Sequence, residues 1–315
     1  EFSLFDYRIS GEFNYYIKDT DGLLSSMNIP LAMGFSSYSD NVGKVRNSGF
    51  EASLNAYLIR DTRHDFSWMV NGQLVYNKNK IIKLSDAIKA QNEEFISASS
   101  SIARTQPAHL LYEGRSMYGL YVVRSQGIDP ATGQEMYLDK DGNVTKRWNR
   151  QDYTYAGVDA TYGSPYRGNA GTMIRWKDLT LNISFGYQWG GQTYNSTLID
   201  RVEVTNGTIA VQNVDRRVFS DRWQKPGDRT FFKAYGDQGT YATSRFVMDD
   251  NWFDIQSVSL QYRWNSVRLQ RTAKLQSILF GLNMTDLWHF SSIKYERGTS
   301  YPFARNVQGS VTFLF

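Results

Sequence analysis

Cysteine is absent from the chain, proline is rare with 6 residues, and no long run of apolar residues occurs. The absence of cysteine excludes disulfide scaffolds and Cys-ligated metal sites. No stretch approaches the roughly 20 apolar residues that a spanning helix needs, which excludes a helical membrane protein. The net charge of +4 is small for 315 residues, and the basic residues are scattered. Nucleic-acid binding needs a concentrated basic stripe, so it is excluded as well.

Aromatic residues, by contrast, are abundant at 15% of the chain. Many of them lie in segments where apolar and polar residues alternate along the chain. Leu181, Ile183 and Phe185 fall on one face of an extended segment, and Asn182 falls on the other. Such alternation is typical of β-strands and predicts an all-β fold. Helical periodicity is scarce, and it predicts one short helix near 85–97.

The lengths of the connections carry further information. We predict ten strands, at 7–19, 45–60, 66–84, 107–113, 117–126, 167–176, 179–191, 251–264, 274–287 and 303–315. The connections between them are alternately long and short, and the long ones far exceed the ~2–5 residues usual in hairpins. An outer-membrane barrel has this asymmetry, because its periplasmic turns are short and its extracellular loops are long. The pattern therefore predicts a transmembrane antiparallel β-barrel.

Aromatic side chains near strand ends support the same prediction. Tyr15, Tyr76, Trp189 and Trp264 are examples, and amphipathic rings of this kind form the interfacial girdles of membrane barrels. We expect the strand face that contains Leu181, Ile183, Phe185 and Leu260 to meet lipid.

Five segments, in order along the chain, resemble motifs of the SusC-like TonB-dependent transporters of Bacteroidetes. They are NVGKVRNSGFEASLNA (41–56), MYGLYVVRSQGIDPATGQEMYLDKDGN (117–143), DDNWFDIQSVSLQYRW (249–264), LFGLNMTDLWHFSSIKYE (279–296) and YPFARNVQGSVTFLF (301–315). The chain departs from the family pattern at Trp252, at 254–256 and at His289, which weakens inferences about substrate but not about fold.

The resemblance implies that residues 1–315 are the C-terminal part of a 22-strand barrel, about its last ten strands, with Phe313 and Phe315 as the C-terminal barrel signal. The plug domain and the TonB box would lie outside this chain. The chain opens with EFSLFDYRIS, without a secretory signal, so we expect a processed mature protein or a piece of a longer one. Ten strands alone should not close, and their edges should pair with the remaining barrel strands.

The implied function is TonB-dependent import of an oligomeric substrate across the bacterial outer membrane, and a glycan is preferred to an oligopeptide. A SusD-like surface lipoprotein would cover the extracellular loops. Two alternatives remain: a soluble β-rich carbohydrate-binding module, and a receptor of the siderophore or cobalamin type. Detergent dependence would separate the first from a membrane barrel, and the GIDPATG run argues against the second.

The long loops contain the candidate substrate-binding residues. Flat rings stack on sugar faces and also contact peptide side chains, although loop aromatics also serve to pack a long loop. We predict substrate contacts at Trp148, Tyr153, Tyr155, Trp223, Tyr235 and Tyr241.

Catalytic and metal signals are weak throughout. His64, His109 and His289 are isolated in sequence, and no nucleophile motif or phosphate-binding glycine loop occurs, so we predict neither an enzyme nor a cofactor. Asp139, Asp141 and Asn143 suggest a calcium loop, because hard cations take clustered oxygen ligands. Their spacing fails the EF-hand template, and we favour a solvated turn.

Overall fold

A computed structural model describes residues 1–22, 43–97, 105–203, 215–236, 239–294 and 305–315, together with the backbone of 24–28 and 37–41. Parts of three family motifs lie outside the described residues: residue 42 of the motif 41–56, residues 295–296 of the motif 279–296, and residues 301–304 of the motif 301–315. No helix in these segments is long and apolar enough to cross a membrane. Three α-helices are short: α1 (Asp86–Ser97), α2 (Ala160–Gly163) and α3 (Val267–Ala273). The first of them confirms the helix predicted near 85–97.

Nine strands form one antiparallel main sheet whose order follows the chain. They are β1 (Phe2–Leu4), β2 (Ile9–Asp21), β5 (Gly43–Asp61), β6 (Phe66–Leu84), β11 (Tyr166–Trp176), β12 (Leu179–Tyr194), β13 (Val247–Trp264), β14 (Ser277–Ser291) and β15 (Asn306–Leu314). β1 and β15 lie at opposite edges, so the described sheet is open. The all-β antiparallel fold is therefore confirmed.

Smaller sheets lie in the long connections. β3 (Leu24–Asn28) pairs with β4 (Ser37–Asn41). A four-stranded sheet contains β7 (Gly119–Ile128), β8 (Glu135–Leu138), β9 (Val144–Thr145) and β10 (Tyr153–Val158). Its strands lie in the order β10-β7-β8-β9.

The prediction of two barrel strands at 107–113 and 117–126 is wrong. Residues 107–113 form no strand and contribute only an isolated bridge from Ala108 to Tyr121. Residues 117–126 contribute to β7 of the smaller sheet. The physical reason is burial. Residues 119–123 are all buried in succession, whereas the residues of a strand in a barrel wall face alternately an apolar and a polar environment.

The remaining connections keep the predicted asymmetry. Four short ones, at 5–8, 62–65, 177–178 and 265–276, join successive strands at one edge of the main sheet, which we call the short-turn edge. Residues 22–42, 85–165, 195–246 and 292–305 connect the strands at the opposite, long-loop edge. Without main-sheet strands at 107–113 and 117–126, the two long loops predicted around them become the single connection 85–165. The number of strands changes, but long and short connections still alternate.

One face of the main sheet is apolar. Directly opposed residues of antiparallel strands share a face, so the register gives rows that cross the sheet. One row contains Ile59, Trp68, Ile174, Leu181, Leu260 and Leu282, and the next contains Ala56, Val70, Thr172, Ile183, Val258, Met284 and Val307.

Aromatic rows border this apolar face on both sides. Near the long-loop edge, successive ring centroids lie 4.7–5.5 Å apart along Phe50, Tyr76, Tyr166 and Trp189. Near the short-turn edge, the row contains the aromatic residues Phe66, Trp176, Tyr262 and Phe280, together with Leu179. On β11 the two rows are ten residues apart, or roughly 25 Å at ~3.4 Å per residue and a tilt of about 40°.

The opposite face is polar and concave. Its central row contains Ser10, Asn55, Asn71, Gly171, Ser184, Ser257, Thr285 and Asn306. The hydroxyls of Ser184 and Ser257 lie 2.7 Å apart, and a concavity of about 470 Å³ is centred on this row. The sheet thus separates an apolar side from a polar one.

Candidate functional site

Residues 85–165 and 195–246 fold against each other beyond the long-loop edge, and we call their described parts the outer unit. Val123 and Thr243 form a parallel bridge, and the Ser125 amide donates to the Ser244 hydroxyl at 3.0 Å. The apolar centre of the second connection consists of Leu198, Ile199, Val202, Phe232 and Phe246. Two segments far apart in sequence therefore form one packed structure above the sheet.

A buried ion cluster joins these connections. The guanidinium of Arg245 lies between Glu135 and Glu203, with its Nη2 atom 2.8 Å from Glu135 Oε2 and 2.6 Å from Glu203 Oε1. The side chains are only 5%, 1% and 0% exposed, respectively. Burial acts to lower the pKa of Arg245, but the hydrogen bonds that its guanidinium donates to Glu203 and the charges of both carboxylates outweigh burial and raise that pKa. The arginine therefore stays protonated.

Hydroxyl donors complete the cluster. Thr243 and Ser125 donate to Glu135 at 2.9 and 2.7 Å, and Thr240 donates to Glu203 at 3.1 Å. Buried charges need such partners, because removing one member of the cluster leaves an uncompensated charge. The cluster therefore holds strand β8, the π-helical segment Leu198–Glu203 and the 3-10 helical turn Ser244–Phe246 before β13 in one arrangement.

The DPATG segment, residues 129–133, forms the turn between β7 and β8 and anchors the second connection. The Asp129 carboxylate accepts from the Ala131 amide, the Thr132 hydroxyl and Lys146 Nζ, the last at 2.8 Å. The Pro130 carbonyl accepts from Trp223 Nε1 at 2.9 Å. Gly133 has a φ of +72°, and an added Cβ would lie 2.5 Å from the Trp223 ring. This family motif thus has a structural role at the junction of two loops.

Two predicted substrate contacts line a cleft on the outer unit. The rings of Trp148 and Tyr241 stack with their centroids 4.9 Å apart, and the Trp148 indole donates to the Ala242 carbonyl at 3.3 Å. The adjoining cleft has a volume of about 420 Å³ and is lined by Gln134, Glu135, Tyr137, Lys146, Arg147, Trp148, Lys233, Gly239 and Tyr241. It combines flat rings with cationic and amide groups.

The other predicted contacts are more dispersed. Tyr153 packs edge-on against Trp148, with centroids 5.8 Å apart. Tyr155 lies in a second group, beneath the guanidinium of Arg115. Trp223 is half-buried against the DPATG turn, and Tyr235 is 55% exposed. The structure therefore brings together Trp148, Tyr153 and Tyr241, and it places the other three elsewhere on the outer unit.

The candidate calcium residues lie in the hairpin turn between β8 and β9. The Asp139 carboxylate accepts from the amides of Asp141 and Asn143 and from Asn143 Nδ2, at 2.8–3.1 Å. These bonds hold the pKa of the Asp139 carboxyl below its usual range, with the Asn143 amide as the main cause. The described residues contain no group of three or more His, Cys, Asp or Glu placed to hold a metal ion.

Two of the three histidines have carboxylate partners that the spacing in sequence did not suggest. His64 Nδ1 lies 2.6 Å from Asp61 in an exposed turn. His289 contacts Asp254 directly across β13 and β14 on the polar face. Positions 254 and 289, which both depart from the family pattern, are thus neighbours in space. His109 is exposed.

Sequence reasoning missed the ion cluster altogether. Glu135 lies within the motif at 117–143, but its hydrogen-bond partner Arg245 is 110 residues away. A buried charge produces no local pattern in a single sequence, because each partner alone is an ordinary charged residue. The one available signal was the position of Glu135 inside a recognised motif.

Curated relatives of the chain are TonB-dependent receptors. The chain is 26% identical over 306 residues to TonB-dependent receptor P3 of Formosa agariphila, a match that covers 92% of this chain and 28% of that protein. It is 22% identical over 281 residues to TonB-dependent receptor SusC of Bacteroides thetaiotaomicron, covering 87% of this chain and 26% of that protein. The chain thus spans between a quarter and a third of the length of these relatives. No family model matches it.

Solved structures with the same fold are described as peptide transporters. The structure of the RagAB peptide transporter superposes with a TM-score of 0.78 at 20% identity, covering 99% of this chain and 34% of the other. The RagAB peptide importer in its open-open state gives a TM-score of 0.76 at 19% identity, covering 99% and 33%. The resemblance to SusC-like TonB-dependent receptors is confirmed, and the main sheet has the fold of their barrels.

Proposed function

We propose that this SusC-like chain is the C-terminal part of an outer-membrane importer, with residues 1–315 forming barrel wall and extracellular loops. The observation that carries the proposal is the two-faced main sheet. An apolar band about 25 Å tall between aromatic girdles is the feature that fits a membrane barrel to a bilayer. The polar, concave face would line the lumen around a plug domain that lies outside this chain.

Pairing of the backbone supports placement in lipid. Within a bilayer each unpaired N–H or C=O costs several kcal/mol, so spanning strands must pair throughout. β5, β6, β11, β12 and β13 pair with a neighbour on both sides. At one edge β1 covers only Ile9–Gly11 of β2, and at the other β15 covers only Ser277–Thr285 of β14, so the two outer sides of the sheet are free among the described residues. The remaining barrel strands would cover those two sides.

Orientation can be tested with single cysteines, because the chain has no cysteine of its own. Lys140 and Lys177 lie on the long-loop side and at the short-turn edge, respectively. We expect a membrane-impermeant maleimide to label Lys140→Cys on intact cells and to label Lys177→Cys only after the outer membrane is broken. The reverse pattern would invert the proposed topology, and labelling of both sites would argue against a membrane barrier.

The substrate is proposed to be oligomeric and to contact the cleft at Trp148 and Tyr241. Stacked rings beside Gln134 and Arg147 suit the apolar faces and hydroxyls of a glycan. An oligopeptide is the second candidate, since the similar solved structures are named as peptide importers. Tyr153, Tyr155, Trp223 and Tyr235 would extend the contact surface beyond the cleft.

Binding assays with the intact protein distinguish these candidates. We expect Trp148→Ala combined with Tyr241→Ala to weaken binding of the true substrate class, oligosaccharide or oligopeptide, by at least tenfold. Tyr162→Ala is the matched control, because Tyr162 is an exposed ring outside the cleft. Equal loss in both variants would show a general effect of removing aromatics and would contradict a specific role for the cleft.

Two partner proteins would supply the energy for import and deliver the substrate. TonB would act through the plug domain, and a SusD-like lipoprotein would cover the outer unit. The exposed rings Phe219 and Tyr235 on the outer unit are of residue types enriched at protein interfaces. Co-purification of a lipoprotein with the intact transporter, and its loss on deletion of residues 196–244, is the expected result. Retention of both the lipoprotein and import after the deletion would remove this assignment.

A further inference from the structure

The apolar face of the main sheet becomes basic immediately beyond the aromatic row at the long-loop edge. On β6, the positions that follow Tyr76 on the same face are Lys78 and Lys80, and after a register shift Lys83 opposes Lys44. On β5, Arg46 and Lys44 hold the corresponding positions beyond Phe50. We call Lys44, Arg46, Lys78, Lys80 and Lys83 the basic patch.

The boundary between band and patch is sharp. Between the two aromatic rows, the apolar face of β5 and β6 carries no charged residue, because its members are Ala52, Leu54, Ala56, Ile59, Trp68, Val70, Gly72 and Leu74. Lys78 is only two residues beyond Tyr76, about 7 Å along the strand. The charges therefore begin at the level where an aromatic girdle meets lipid headgroups.

The carboxylates of β2 form ion pairs with two cations of the patch, Lys44 and Arg46. Asp19 lies 2.6 Å from Arg46 and 3.2 Å from Lys44, and Asp21 lies 3.5 Å from Lys44. Within the described part of the chain, no ion pair involves Lys78, Lys80 or Lys83, and all three are exposed. The charge of Lys83 contributes to lowering the pKa of the nearby Glu113, which is itself ion-paired with Lys89 at 3.3 Å. The five bases of the patch and the two carboxylates of β2 together leave an excess of three positive charges.

Strand length brings the patch to headgroup height. β5 and β6 have 19 residues each, whereas a tilted strand needs about 9–11 residues to span the bilayer. The additional residues of these two strands continue beyond the aromatic row on the long-loop side, where the headgroup region begins. Lysine stems can lie along the apolar surface while their ammonium groups reach headgroup oxygens.

We propose that the basic patch binds the phosphate groups of anionic lipids in the leaflet around the long-loop edge. The proposal rests on the proposed function, because it needs the main sheet to stand in a membrane. The outward direction of the patch, shared with the lipid-facing band, separates it from the lumen, where substrate passes. Because each base near an anionic surface adds to the attraction, the three exposed lysines together account for a roughly 100-fold preference for the anionic lipid.

The test compares lipid binding by variants of the intact protein in neutral detergent at low salt. The probe is lipid A bearing two phosphates, and the same lipid without phosphates measures the apolar contribution. The test variant combines Lys78→Gln, Lys80→Gln and Lys83→Gln. The control combines Lys140→Gln, Lys225→Gln and Arg229→Gln, which removes three exposed bases from the outer unit and leaves the patch intact.

We expect the test variant to bind phosphorylated lipid A on the order of 100-fold more weakly than the parent, and the control to change by less than threefold. Removing the phosphates from the lipid, or raising the salt concentration, should weaken parental binding in the same way. Equal binding by parent and test variant would overturn the proposal. So would full competition by inorganic phosphate at the concentration of the lipid, since a free anion would then be the ligand.

Two further readouts distinguish lipid binding by the patch from membrane insertion and from a protein contact. Insertion into vesicles of neutral lipid tests membrane placement alone, so failure to insert contradicts the proposed function, whereas insertion with unchanged lipid A binding contradicts only the patch. If the test variant keeps lipid A binding and loses a co-purifying lipoprotein, the patch is a protein contact and the lipid proposal is wrong.

Discussion

The main sheet and the outer unit are stabilised in different ways. In the main sheet, each strand repeats one rule, with apolar residues on one face and small polar residues on the other. In the outer unit, charged side chains are buried in the interior, among them Arg222, Lys233 and the Arg245 cluster. In the proposed membrane barrel, the main sheet would need only the correct alternation of apolar and polar residues, whereas the outer unit needs specific partners that are far apart in sequence.

This difference determines how each region should respond to a substitution. The main sheet should tolerate changes that preserve the character of a face and fail when polarity is reversed. The outer unit should tolerate changes at exposed loop positions and fail when one member of a buried network is removed. Substitutions in each region, paired with matched controls, test this division.

The largest effect is expected in the outer unit. Arg245→Met leaves Glu135 and Glu203 buried without their cation, which should cost about 3–5 kcal/mol. Hydrogen exchange should therefore accelerate in residues 239–246, while amides at the centre of β12 stay protected. Arg229→Met is the control, because Arg229 is an exposed arginine of the same loop. Loss of protection in β12 to the same extent would show that the two regions unfold as one.

The second prediction addresses the main sheet. Ile183→Arg places a charge in the middle of the apolar band and should destabilise the membrane-inserted protein by ~2–4 kcal/mol. Asn182→Arg, one residue away on the polar face, should have little effect. Denaturant unfolding in lipid vesicles gives both values. Equal values for the two variants would contradict the assignment of faces.

Most of the main sheet was predictable because alternation is a local property. The segments near β2, β5, β6, β11, β12, β13, β14 and β15 were all recognised, since each strand alone shows which of its residues share a face. The mistakes at 107–113 and 117–126 have a common cause. β7 presents buried residues in succession at 120–123, and one sequence does not show whether an apolar extended segment borders lipid or a protein core.

The candidate site was predictable only in part. Aromatic residues in long loops identified Trp148 and Tyr241, and these rings do line a cleft. The same criterion selected Trp223, whose ring is positioned by Pro130 and Gly133 and therefore has a packing role. The basic patch was missed because its members lie on two strands, and only the register places them side by side.

The third prediction distinguishes packing from backbone strain in the outer unit. Gly133 and Gly142 both have positive φ, at +72° and +87°, but only Gly133 has a ring against it. Alanine at either position should cost about 1–2 kcal/mol for the left-handed conformation. Gly133→Ala should cost about 1–3 kcal/mol more, because Trp223 must move. Opening free energies from hydrogen exchange in the outer unit provide the comparison, and equal values would indicate that the Trp223 contact is dispensable.

The smallest effect concerns one exposed ion pair at the junction of the two loops. The Lys146 hydrogen bond, with help from Thr132 and the Ala131 amide, lowers the pKa of the Asp129 carboxyl to about 2, below its ordinary value near 3.9. A lowered pKa means that the fold favours the ionised form, so this stabilisation is present above about pH 4 and is lost as the pH falls through about 2. Asp129→Asn should therefore reduce the pH dependence of outer-unit stability between pH 4 and pH 2. Asp141→Asn, in the neighbouring hairpin turn, is the control for removing a carboxylate from the outer unit. A parental titration centred at pH 4 would mean that the turn does not hold the carboxylate. The junction of the loops would then depend on the Arg245 cluster and the Trp223 contact alone.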